Sequence, residues 1–132
     1  MLRRSVLACV LASTGLCAQA TDLVVIVHPA AGALDKDQVS DIFLGRAPRS
    51  IPLDLAADSP LRAEFYQRAT GRDLPQVKMV WSRVLFTGKG LAPRAYASSA
   101  EVKKVVADNP RAVGYIEKSA VDTSVKVAFE LP

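Results

Sequence analysis

Leu23 to Val27 reads Leu-Val-Val-Ile-Val, an aliphatic run with no polar residue to offer water. Four of its five residues are β-branched, which stiffens the side chains and favours a strand over a helix. With no alternation there is no solvent face. A run of this length, closed by His28-Pro29, predicts a strand buried on both sides, as in a parallel sheet covered by helices. That one segment requires a layered fold, because something must lie on each face of it.

The rest of the chain supplies the layers. Asp35 precedes a helical pattern with Val39, Ile42 and Phe43 on one face. Gln38 stands where a capping box needs it, and Gly45 is a natural stop. Ile51 to Leu55 predicts a second strand, at an edge or irregular because of Pro52. Asp58-Ser59-Pro60 opens the next helix, with Leu61, Phe65 and Ala69 inward and Gly71 ending it. Pro75 opens a third, whose Val77, Val80, Trp81, Val84 and Leu85 follow helical spacing and make Trp81 a core residue. Ser98 and Glu101 form a capping box for a fourth, with Val102, Val105 and Val106 inward. Ala112 to Ile116 is a strand, and Val125, Val127 and Phe129 alternate in a last, half-exposed one. Gly88 to Ala97 is the expected mobile loop. Strands separated by helices predict an α/β fold, a single three-layer lobe with a mainly parallel sheet.

The N-terminus sets the compartment. Arg3 and Arg4, an apolar run from Val6 to Leu16 and Ala18-Gln19-Ala20 have the form of a secretory signal peptide cut after Ala20. The run is about half the ~20 residues that span a bilayer. Lipidation at Cys17 is the alternative, and Leu16 fits that poorly. Removing residues 1–20 from 132 leaves 112, enough for one domain at 21–132. The net charge of +4 drops to +2 as Arg3 and Arg4 leave, so compositional support for nucleic-acid binding goes with them. Cys9 and Cys17 leave too, which excludes a thiol nucleophile, a thiolate metal site or a disulfide in the mature protein.

Catalytic machinery is not legible. His28 is the one histidine, and it reads as a solvated or capping residue at a strand end. No serine lies in a GxSxG elbow. Asp35, Asp37 and Asp41 lack the glycine and terminal glutamate of a calcium loop, and Asp35 is better used as a cap. Thr87-Gly88-Lys89-Gly90 is not a Walker loop and reads first as a helix stop and turn. Tyr66, Trp81, Tyr96 and Tyr115 do not cluster in sequence. No cofactor or metal is expected. The best local binding candidate is the helix start at Ser59. Free N–H groups and a partial positive charge there suit an oxyanion, with the Ser59 hydroxyl and Arg62 adding donors. Asp58 opposes it, and from the residues alone an ordinary capped helix is the plainer reading.

Two motifs go further. Asp41 to Arg46 reads DIFLGR, and Asn109 to Ile116 reads NPRAVGYI, with Trp81 and Gly88-Lys89-Gly90 between them in order. In this arrangement the chain, from about Leu23 to Val127, resembles the second lobe of the periplasmic phosphate-binding proteins of ABC transporters. The resemblance implies a type II periplasmic-binding-protein-like lobe and a binding function with no catalytic step. It implies phosphate or a similar small oxyanion as ligand, held by Ser59, Leu61, Arg62, Thr87 and Lys89. The family places Arg-Ser-Asp and then Ser-Gly-Thr at the anion segment. Here Asp54 to Arg62 reads DLAADSPLR, with Pro60 and Leu61 where Gly and Thr stand and no arginine before Ser59.

The match extends to one lobe, so an anion site open to water is expected to be weak, in the millimolar range (about −4 kcal/mol). The alternative reading is a ligand-free protein-interaction module for a membrane sensor or transporter. A homodimer rebuilding a two-lobed cleft reconciles the two. The mature protein is expected in the periplasm. Intact mass of the exported form should correspond to a chain beginning at Thr21. A lipid-modified form beginning at Cys17 would overturn the cleavage reading.

Overall fold

The computed structural model describes residues 22–88 and 90–132. The signal-peptide reading of residues 1–20 and the anion role of Lys89 lie outside the described residues. In chain order the elements are β1 (Leu23–Val27), α1 (Lys36–Phe43), β2 (Ile51–Leu55), α2 (Pro60–Thr70), α3 (Leu74–Phe86), β3 (Arg94–Tyr96), α4 (Ser99–Asp108), β4 (Ala112–Glu117), a 3₁₀ turn (Lys118–Ala120) and β5 (Lys126–Glu130). The fold is α/β with a five-stranded sheet in the order β3-β2-β4-β1-β5.

All five residues of β1 are buried, as its composition requires. Its neighbours are a finding. β1 lies antiparallel to both β4 and β5, while β2 runs parallel to β3 and to β4. Four strands therefore share one direction and β1 opposes them. A purely aliphatic run reports that both faces are covered, and helical layers cover an antiparallel strand as completely as a parallel one.

The alternation of side chains across β4 assigns the layers. A Cβ on Gly114 would lie 2.5 Å from Val102 Cγ1, so this face meets α4 at the closest approach a backbone allows. The next residue, Tyr115, faces the other way, into the rings of Phe43 from α1 and Phe65 from α2. The sheet is thus sandwiched between α4 and the α1–α2 pair. The glycine of NPRAVGYI is explained by packing: a side chain there would push α4 off the sheet.

Local rules hold at most helix starts. Asp35 and Gln38 form the reciprocal capping box at α1, and Asp73 and Gln76 form another at α3, which begins at Leu74, one residue before Pro75. At α4, Ser98 accepts from Glu101 N–H, but Glu101 reaches back to Ala97 N–H and not to Ser98. Gly45, at φ +78°, closes α1; a Cβ there would lie 2.8 Å from Val84 Cγ2 and 3.3 Å from the Trp81 ring.

Four expectations are corrected. β2 is not an edge strand, since it lies between β3 and β4. Pro52 is tolerated because Ile51 N–H donates to Arg111 on the β4 side, which turns the Pro52 nitrogen toward β3, and β3 starts only opposite Leu53. The segment read as a mobile loop contains β3 itself, too short for its periodicity to show. On β5 it is Ala128 that is buried, with Val127 and Phe129 half-buried. Val25 pairs with Phe129 and Ile26 with Val127, so Ala128 is the extra residue of a bulge that breaks the alternation. Leu85, expected inside, is 46% exposed.

Trp81 is buried against the C-terminal end of α1, its Nε1–H donating to the Phe43 carbonyl at 3.0 Å. Trp81→Ala should cost about 3–5 kcal/mol, large against the roughly 5–15 kcal/mol of a domain. Thermal and denaturant unfolding measure it, and a melting point within a few degrees of wild type would show that Trp81 is not the anchor.

Candidate functional site

β2 ends on Leu53-Asp54-Leu55. The two leucines point one way and Asp54 the other, toward α2. Asp54 is 2% exposed and is a charged residue in the midst of the core. A buried carboxylate requires partners. Tyr66 Oη donates to Asp54 Oδ2 at 2.8 Å and Tyr115 Oη to Oδ1 at 2.5 Å. The Arg62 guanidinium stands 3.6 Å from Oδ2 and donates to the Leu55 carbonyl at 3.2 Å. Leu55 N–H in turn donates to the Tyr115 hydroxyl oxygen at 3.2 Å.

Helical spacing builds this group. Arg62 and Tyr66 are four residues apart on α2, so both reach the end of β2 from one helix face. Phe65 stacks on Tyr115 with centroids 3.9 Å apart, and Phe43 meets both edge-on, which holds the phenol over Asp54. Tyr66 and Tyr115, scattered in sequence, are therefore brought together. The helical spacing of Arg62 and Tyr66 is legible in the sequence, whereas the meeting of Tyr66 and Tyr115 on Asp54 is not.

The electrostatics follow from burial. Desolvation raises the Asp54 pKa above its ordinary 3.8, against the hydrogen bond from Tyr115, the charge of Arg62 and the hydrogen bond from Tyr66. Desolvation also raises both phenols, and the neighbouring Asp54 carboxylate adds to it. Neither tyrosine is available as an acid or nucleophile near neutral pH.

Arg62 opens this group to solvent. It lines a cleft of about 670 Å³ between the end of β2, α3 and Ala92-Pro93, with Ala57, Leu74, Val77 and Trp81 among its walls. Of the sequence-predicted anion residues that are described, Arg62 alone lines it. Ser59 sits at the N-cap of α2, but its hydroxyl makes no capping bond. Its N–H is spent on the Ala56 carbonyl, Pro60 has none, and the Arg62 N–H bonds the Ser59 carbonyl at 3.2 Å. The Leu61 N–H is left without a partner among the described residues, and the Leu61 side chain packs partly buried against the core. Thr87 stands past the far end of α3, its hydroxyl donating to the Val84 carbonyl at 2.9 Å. Gly88, at φ +69°, continues that helix stop. Thr87 is not among the residues that line the cleft beside Arg62. His28 Nδ1 accepts the Ala30 N–H at 3.0 Å and closes the turn after β1.

Solved structures share this architecture. An ABC-type phosphate transport receptor from Vibrio cholerae is similar at a TM-score of 0.61 and 20% identity, over 81% of this chain and 45% of its own. A putative phosphate ABC transporter substrate-binding protein with bound phosphate from Clostridium perfringens gives 0.62 and 21%, over 82% of this chain and 44% of its own. The chain has the fold of the periplasmic binding proteins. It spans less than half the length of the binding proteins it matches. No protein-family model and no curated protein matches it. Within this binding-protein fold, Arg62 is the cation presented at the start of α2, and Asp54 is the carboxylate that holds it there.

The Asp54 cluster is testable. Tyr115→Phe removes a donor to a buried carboxylate and should cost about 1.5–3 kcal/mol. The pH dependence has a definite sign. A raised folded-state pKa means the folded protein holds the proton more tightly than the unfolded chain. The associated stability is present in full below 3.8 and is lost as pH rises through the folded value. Wild type should therefore lose stability relative to Asp54→Asn as pH rises from that point. A difference that stays flat or grows would show that hydrogen bonding outweighs desolvation at Asp54.

Proposed function

We propose that the chain is a periplasmic solute-binding-type module, without a catalytic step, that engages phosphate or a similar small oxyanion weakly at the start of α2. A link to phosphate ABC transport follows the neighbours of known structure. The observation that carries the reading is Arg62, presented at the first turn of α2 on the wall of a solvent-open cleft. Beside it the Leu61 N–H and the Ser59 hydroxyl supply donors, and the positive end of α2 adds to them. Thr87 and Lys89 are further contacts in this proposal. The weakness has a physical cause. Asp54 at 3.6 Å already takes part of the Arg62 charge, and the exposed Asp58 repels an anion.

Phosphate titrated into the isotope-labelled protein at constant ionic strength tests this, to about tens of millimolar. Amides of Ser59, Leu61 and Arg62 should shift first, and Thr87 to Gly90 second. Arg62→Ala should weaken the effect about tenfold, the value of one charge-assisted hydrogen bond, with Arg62→Lys retaining a cation beside Asp54. If nothing near Ser59 moves, the anion reading falls. A second reading, a protein-interaction module for a membrane sensor or transporter, is favoured by Met79 and Phe86, large apolar side chains that α3 exposes to solvent.

A further inference from the structure

α3 is apolar on two sides. Val77 and Trp81 face the core, whereas Met79 and Phe86, two turns apart on the outward face, are 59% and 95% exposed. Leu85, 46% exposed, lines the cleft, and Leu91, just beyond the helix, is 85% exposed. Four large apolar side chains exposed on and just beyond one helix, with Ser82 and Arg83 between Met79 and Phe86, suit a contact site that is part apolar and part charged.

Charge is the second, independent observation. From Leu74 to Ala100 the chain has no Asp or Glu, while Lys78, Arg83, Lys89 and Arg94 fall within it. Among the described residues, Lys78, Arg83 and Arg94 take part in no ion pair. Lys78 lines the cleft on one side of Trp81 and Arg94 a smaller one, about 370 Å³, on the other. Asp54, which shares the cleft with Lys78, is buried and bonded to two tyrosines, and on its other side Arg94 borders a pocket with Glu101 and Asp108.

We propose that this face docks an acidic, amphipathic segment of another protein. Its apolar side chains cover Met79, Leu85 and Phe86, and its carboxylates meet Lys78, Arg83 and Arg94. The proposal rests on the interaction-module reading and is independent of the anion site. A second copy docked on the same face would set cations against cations. A bilayer is flat and cannot enter the clefts on either side of Trp81, whereas a helix or extended segment can. Electrostatic complementarity of this kind steers association and selects the partner's sign of charge.

The probe is a helical peptide with leucines on one face flanked by glutamates, against a counterpart with lysines in place of the glutamates. Trp81, the one tryptophan, lines both clefts and reports by fluorescence. The glutamate peptide should change it and shift the amides of α3 and Leu91, with the lysine peptide at least about tenfold weaker. Phe86→Ser and Arg83→Glu, both at exposed positions, should each weaken the glutamate peptide about tenfold without altering the melting point. Equal binding of the two peptides would overturn the partner's chemistry and leave the interaction reading standing. A dimer in sedimentation that buries Phe86, or binding to phosphatidylglycerol vesicles lost in Phe86→Ser with no peptide bound, would overturn the proposal in favour of that occupant. If neither peptide, copy nor vesicle perturbs α3, the proposal and the interaction reading fall together.

Discussion

The structure turns on one buried carboxylate. Asp54 takes a hydroxyl donor from α2, another from β4 and a guanidinium from the first turn of α2, so β2, the helix that follows it and a strand 61 residues away meet at its two oxygens. Losing one donor leaves charge uncompensated where water cannot reach it, and that cost is larger than the net worth of any single bond. The cluster therefore sets the position of α2 against the sheet more narrowly than apolar packing alone would. It also sets the orientation of Arg62, and with it the electrostatic character of the cleft mouth.

The two sequence motifs carry structural duties that explain their residues. In DIFLGR, Ile42 and Phe43 enter the core, Asp41 pairs with Arg46 at 2.9 Å, and Gly45 makes room for Trp81. In NPRAVGYI, Asn109 Oδ1 accepts the Arg111 N–H to form the turn into β4, Gly114 admits α4, and Tyr115 reaches Asp54. Both motifs thus report close packing around α3 and β4. Neither supplies an atom to the cleft that Arg62 lines, so their presence argues for the fold and says little about a ligand.

The cleft and the outer face of α3 belong to one side of the molecule. An arginine held by a carboxylate is a poor anion trap, because part of its charge is already compensated. Exposed apolar side chains beside cations that take part in no ion pair suit an acidic partner, because burial and charge act in the same direction.

Sequence by itself determined the layered fold and most element positions. The aliphatic run of β1, the capping residues Asp35 and Ser98, and the glycines Gly45, Gly71 and Gly88 act through neighbours along the chain, and short-range rules read them. Arg62 was legible for the same reason, as a cation one turn into a helix. Tertiary structure decided the rest. Whether β1 pairs parallel or antiparallel depends on how the chain crosses the sheet. Pro52 is acceptable inside the sheet only because β3 stops short of it. The bulge at Ala128 inverts an alternation that looked regular. Asp54, Tyr66 and Tyr115 form one site through contacts 12 and 61 residues apart in sequence, which no local pattern encodes. Long-range pairing is fixed by the shared core, and a residue's partners across it become visible only when the layers close.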